Sequence, residues 1–202
     1  MPNQPVVPPG GKFPVPATST TPLLAFRCAP AIKPYLAEDV SCPAGILVDT
    51  TIVFSQISGA IPITLPSTLT NVDTLAVTLS LDGQILAQRN IPLNSTKVEL
   101  HFSLTDLKPR KEAFSIACTA TYSAGEDAKT QIFHGMTSLS YLPNPLSGSV
   151  TKIDLRTGAL LVKSMNTAGA KYETIFPIGF YTSFSNYLDS NLLILDGLKA
   201  QG

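Results

Sequence analysis

Charged side chains are scarce in this 202-residue chain: 14 Lys and Arg and 14 Asp and Glu make up 14% of it, and they cancel. An average soluble domain carries roughly 25%. The balance removes the electrostatic footprint that binding to nucleic acid or a membrane surface would need. No apolar run reaches the roughly 18 residues that span a bilayer. The N-terminal stretch MPNQPVVPPGGKFPVPATSTTP has neither a basic leader nor an apolar segment, so no signal peptide is visible. Its Pro and Gly predict a disordered tail over residues 1–22. PPGGK has neither the spacing nor the flanking strand and helix of a phosphate-binding loop.

Cysteine is limited to Cys28, Cys42 and Cys118, at spacings that match no zinc motif, so neither metal nor other cofactor is expected. In an oxidising compartment Cys28 and Cys42 would close a loop of about 15 residues, worth about 3 kcal/mol in the chain-entropy model. The alternative is that all three stay reduced. The sequon Asn94-Ser95-Thr96 falls between two strand candidates and favours an extracellular location.

What is present is apolar alternation. With 44% hydrophobic residues and a mean hydropathy of +0.22, the chain can bury a core. In TLAVTLSL, Leu75, Val77, Leu79 and Leu81 alternate with smaller or polar residues, then Asp82-Gly83 and QILAQRNI follow, the pattern of a β-hairpin with a type I′ turn. KVELHFSL places Val98, Leu100, Phe102 and Leu104 inward and Lys97, Glu99, His101 and Ser103 outward. AFSIACTATY does the same through Phe114, Ile116, Cys118, Ala120 and Tyr122, and further strands are expected at 23–28, 46–55 and 130–142. About seven short strands without intervening helices predict a mainly β fold, an antiparallel β-sandwich of the immunoglobulin or fibronectin kind over residues 23–142. Residues 143–148, with Pro143, Pro145 and Gly148, read as a linker. A hairpin around Arg156-Thr157-Gly158 and one strand-helix unit then fill residues 149–202. Leu188, Leu192, Leu195 and Leu198 draw one apolar stripe along that helix, with Ser185 or Asn186 capping its start and Gly202 following its end.

Two stretches resemble known families. LTDLKPRKEAFSIACTATYS resembles the corner of an immunoglobulin-like domain, where a Leu-x-Pro turn hands the chain to a strand of alternating aromatic and small residues. GALLVKSMNTAGAKYETIFPIGFYTSF resembles the beginning of the (β/α)8 barrel in glycoside hydrolases of the family 2 type, with Phe176, Pro177, Ile178, Gly179, Phe180 and Tyr181 matching the first barrel strand and LKAQG the end of its helix. The resemblance implies the front end of a larger architecture. Both catalytic carboxylates of such an enzyme stand on later strands, so it implies a non-catalytic accessory domain that meets carbohydrate only through a complete parent. Self-association through the exposed C-terminal strand would follow. The alternative is a free-standing binding or adhesion module.

No catalytic, cofactor-binding or metal residue is assigned. Asp106, Glu112, Glu126 and Asp127 fall in predicted turns, where solvated carboxylates are ordinary. Cys118 faces inward and His101 outward, so they should not meet, and neither Cys118–His101 nor Cys118–His134 is a nucleophile pair. Phe176, Phe180, Tyr181, Phe184 and Tyr187 could stack on a sugar, but core packing and interdomain burial are the favoured account of them.

Overall fold

A computed structural model describes residues 15–66, 73–123, 129–148, 150–163, 171–176, 191 and 193–200. The first strands are β1 (Thr18–Pro30), β2 (Ile32–Lys33) and β3 (Tyr35–Leu36), followed by a 3₁₀ turn over Ala37–Ser41. Then come β4 (Ala44–Ser55), β5 (Ala60–Pro62), β6 (Thr74–Leu81), β7 (Gln84–Pro92), β8 (Val98–Phe102), β9 (Phe114–Tyr122), β10 (Gln131–Leu139) and β11 (Tyr141–Leu142). The last elements described are β12 (Val150–Asp154), β13 (Ala159–Lys163), β14 (Glu173–Ile175) and the helix α1 (Leu193–Ala200). The protein is mainly β, built from antiparallel sheets with one C-terminal helix.

The β6–β7 hairpin forms where Asp82-Gly83 predicted it. Leu81 pairs with Gln84, and both turn residues are left-handed, at φ 49° and 83°, as a type I′ turn requires. Two four-stranded sheets, in the orders β5-β1-β4-β8 and β10-β9-β6-β7, contribute to one hydrophobic core. The three alternating rows read from the sequence supply much of it. Leu75, Val77, Leu79 and Leu81 are buried on β6, as are Phe114, Ile116, Cys118, Ala120 and Tyr122 on β9. Leu100, Phe102 and the following Leu104 are buried from the third row, with Val98 half-buried against them, while His101 is exposed. At about 1.5–3 kcal/mol for each large apolar side chain removed from water, these rows dominate the stabilisation.

Residues 23–142 contain more strand segments than the seven expected, because β2, β3, β5 and β11 are too short to show a period in sequence. β1 starts at Thr18, inside the stretch expected as tail; Thr18 pairs with Ser55, and the register shifts before Leu23. The remainder of that tail, residues 1–14, lies outside the described residues.

A third sheet has the order β14-β13-β12-β2. The hairpin at Arg156-Thr157-Gly158 forms as expected, with Gly158 in the left-handed region at φ 79°. This hairpin is not detached from what precedes residues 143–148: Ile153 and Asp154 of β12 pair with Lys33 and Ile32 of β2. β2 leads through Pro34 into β3, which pairs in parallel with β11, Tyr35 opposite Tyr141. Even Asn144 of the predicted linker is engaged, its Oδ1 accepting the Glu38 amide at 2.9 Å. Helix α1 begins after Asn191, whose side chain accepts the Leu193 amide at 3.0 Å. Leu195 and Leu198 are 51% and 46% exposed, so no sheet covers them among the described residues. The expected strand at 176–181 beyond Phe176, the caps Ser185 and Asn186, Leu188, Leu192 and Gly202 lie outside the described residues.

Candidate functional site

The densest polar cluster sits where the third sheet meets β8 and the 3₁₀ turn. Along β12 the pleat points Lys152 and Asp154 to the buried face and Ile153 outward, the reverse of the usual apolar-in order. Lys152 is 3% exposed. Its ammonium donates to both carboxylate oxygens of Asp39, at 2.8 and 2.6 Å, and lies 4.0 Å from the centre of the Tyr172 ring. Asp39 also accepts the Leu36 amide at 2.7 Å, closing the first turn of the 3₁₀ segment. A buried ammonium is tolerated because a carboxylate and an aromatic face replace its water.

Two further pairs flank it. Arg156 donates to both carboxylate oxygens of Asp154, at 2.9 and 3.0 Å, and is 3.8 Å from Glu99 of β8. Lys163 donates to Glu38 at 2.7 Å, and the Tyr172 hydroxyl donates to the same carboxylate at 3.2 Å. The Lys163 hydrogen bond holds the Glu38 carboxyl below its ordinary range, and the Arg156 hydrogen bond does the same for Asp154. Burial, with Glu38 as acceptor, pushes the Tyr172 hydroxyl up. Burial likewise raises Tyr35, whose hydroxyl accepts the Gly45 amide at 2.9 Å.

A cavity of about 320 Å³ opens among these groups, lined by Tyr35, Asp39, Glu99, His101, Lys152 and Arg156 among others. Gly45 makes room on its sheet side: a Cβ there would overlap the Glu99 carboxylate, which lies across β4. His101 Nδ1 is 3.7 Å from Glu99. The two carboxylates facing the cavity are therefore already engaged, Asp39 by Lys152 and Glu99 by Arg156 and His101. That is the arrangement of a clamp between sheets. A hydrolytic pair of carboxylates would instead face a substrate from both sides of the scissile bond. Among the described residues no group of three or more His, Cys, Asp or Glu side chains is arranged to hold a metal ion.

Of the residues weighed from sequence, His101 and Cys42 line this cavity and the others lie elsewhere or outside the described residues. Asp106 and Glu112 are exposed in turns, and Glu126 and Asp127 are outside the described residues. Cys118 is buried in the core, while His101 and His134 are exposed. All three cysteines are free; Cys28 is half-buried against the core, and Cys42 is exposed at the end of the 3₁₀ turn. Asn94 of the sequon is exposed, with its Oδ1 accepting the Ile52 amide at 3.3 Å. Of the aromatic group, Phe176 is 87% exposed and the other four members lie outside the described residues.

Sequence reasoning did not pick out Asp39, Lys152 or Arg156. Lys152, Asp154 and Arg156 fall in a Lys-Ile-Asp-Leu-Arg run, but charges alternating with apolar residues are ordinary on a strand with one exposed face, and Asp39 lies outside the run, so no local signal marked the cluster. Comparison with protein-family models, with curated proteins and with solved structures found no match to this chain.

Proposed function

We propose that this chain is a non-catalytic accessory unit of a glycoside hydrolase-like protein, its two core sheets serving as a scaffold and its third sheet as a collar toward the segment that resembles a barrel's first strand and helix. The observation that carries the reading is the cluster around Lys152. Its cations are engaged by Asp39, Asp154, Glu99 and Glu38, and together they fasten β12, β13 and Tyr172 to the 3₁₀ turn and to β8. Such a set fixes the position of one sheet against another, and among the described residues its carboxylates are engaged by cations and face no second acid, base or nucleophile across the cavity. The strand orders β1-β4-β8 and β10-β9-β6-β7 support the fibronectin-like form of the scaffold, since each sheet joins strands that are not consecutive in sequence, as Greek-key connections do.

The test is turnover on a panel of aryl glycosides, run with the intact chain and with Asp39→Asn and Glu99→Gln. The expected result is no rate above buffer for any of the three. Turnover by the intact chain that disappears in either variant would make the cavity an active site and end the accessory reading. Binding of soluble polysaccharides by the intact chain, weakened by substitutions at the cavity, would favour the free-standing binding module instead.

A further inference from the structure

The two core sheets leave four strands at their margins, β5 and β8 on one, β10 and β7 on the other. A bare edge offers unpaired N–H and C=O groups to any other strand, so folded proteins shorten, charge or break their edges. Three of these four are treated in that way. β5 has three residues and ends in Pro62. The Glu99 carbonyl on β8 accepts from Arg89 Nη1 at 3.2 Å, and β7 itself carries Arg89 and Pro92 and pairs through a register shift. β10 is the exception. From Gln131 to Leu139 it pairs in unbroken register with β9, and it contains no Lys, Arg, Asp, Glu or Pro. Among the described residues no strand pairs with its other side. Its solvent face shows Ile132 at 58% and Met136 at 72% exposure, on either side of the exposed His134. Their register partners on β9 are Thr121, Ala117 and Thr119, so no charge stands beside them in the sheet.

We propose that β10 is a docking edge for a second copy of this chain, the two copies joining antiparallel about a twofold axis at His134 and merging their β10-β9-β6-β7 sheets into one. A twofold contact needs a surface that complements itself. About His134 the strand does so. Ile132 falls opposite Met136 of the second copy, and Met136 opposite its Ile132, so each exposed apolar side chain gains an apolar neighbour with Cβ atoms about 4.5–5.5 Å apart. Phe133, turned into the core, falls opposite Gly135, so two bulky side chains do not meet there. Moving the axis one residue, to Gly135, would set Met136 opposite His134 and Ile132 opposite Ser138, and both apolar pairs would be lost. The strand carries no formal charge of Lys, Arg, Asp or Glu that would face its own copy. Main-chain hydrogen bonds along the edge supply the affinity and the side-chain pairs the register. One strand per copy is a small contact, so the dimer is reversible. This contact is independent of the accessory role, and it uses a strand other than the C-terminal one expected from sequence to self-associate.

The test is sedimentation of the intact chain from about 10 µM to about 1 mM, the range in which weak contacts dissociate. A reversible monomer–dimer equilibrium is expected. His134→Lys and His134→Glu each set two like charges opposite one another across the axis, and each should weaken the dimer about fivefold. An equimolar mixture of the two variants should recover a dimer at least as strong as that of the intact chain, because Lys then faces Glu. That rescue requires position 134 to lie opposite itself. Position 134 is exposed, so both variants should keep the circular dichroism spectrum and urea midpoint of the intact chain. An intact chain that stays monomeric to about 1 mM would overturn the proposal. So would a dimer that neither substitution weakens, or a mixture no stronger than its parts, because the contact would then lie elsewhere, the C-terminal strand included.

Discussion

Removing the Asp39 carboxylate should destabilise the protein far more than removing the Lys152 ammonium, although the two belong to one ion pair. The asymmetry follows from where each sits: the Lys152 side chain is 4% exposed and that of Asp39 is 20% exposed. Asp39→Ala leaves a buried ammonium with only the Tyr172 face for compensation and takes the acceptor from the Leu36 amide. Stripping the partner from a buried charge costs about 3–5 kcal/mol, and partial compensation by the ring puts the expected value near the lower end, about 3–4 kcal/mol. Lys152→Met keeps the apolar stem and leaves Asp39 with solvent access and the Leu36 amide, so about 1–2 kcal/mol is expected. The double variant has no uncompensated charge and should cost little more than Lys152→Met alone, giving a coupling energy of about 2–3 kcal/mol. Urea titrations followed by circular dichroism measure all four proteins, with the slope checked for constancy so that midpoints report stability. Equal costs for the two single variants, or a coupling below about 0.5 kcal/mol, would refute the picture of a buried clamp.

The core itself should respond to truncation. Phe102→Ala and Phe114→Ala should each cost about 3–5 kcal/mol in the same titration, and a loss below about 1 kcal/mol would mean that the inward rows carry less than their burial implies. The Tyr122 hydroxyl is buried without a hydrogen-bond partner among the described residues, so Tyr122→Phe should be neutral or stabilising by up to about 1 kcal/mol; clear destabilisation would reveal a hidden partner. Glu38 and Asp154 are both held below their ordinary values of 4.5 and 3.8. A carboxylate with a lowered folded value contributes stability that is present above the unfolded value and lost as pH falls through the folded one. The urea midpoint should therefore decline below about pH 4.5, and less steeply in Glu38→Gln; a midpoint unchanged between pH 7 and pH 3 would contradict the assignment.

The strands that could be read from sequence are those whose face toward the core obeys a period of two over five or more residues. β6, β8 and β9 bury Leu, Ile, Val, Phe and Tyr on one side only, and the Asp82-Gly83 turn fixes a register that the pleat then repeats. β2, β3 and β11 have two residues each, too few for any period, and exist because Ile32, Tyr35 and Tyr141 find partners more than 100 residues away in some cases. The pairing of Ile32–Lys33 with β12 is of this kind, and it is what brings the stretch after residue 148 back against the first sheet.

The polar cluster was illegible for a related reason. Asp39 and Lys152 are separated by 113 residues, and neither has a local signature of its own. Lys152 on a strand with Ile153 reads by itself as an ordinary exposed lysine beside a buried isoleucine, and the structure inverts that reading, with Lys152 at 3% and Ile153 at 39% exposure. The inversion is possible because two independent pieces converge on the ammonium, a carboxylate from a 3₁₀ turn and an aromatic face next to β14. Either one alone would leave the lysine's desolvation uncompensated, and β12 would be more stable rotated by one residue with Ile153 inward. The register of the third sheet is therefore set by a charge and its partners. This gives the Lys152 cluster a consequence beyond stability: substituting Asp39 should expose the face of β12 that now carries Lys152 and Asp154, and amide exchange along Val150–Asp154 should rise before exchange in β6 or β9 does.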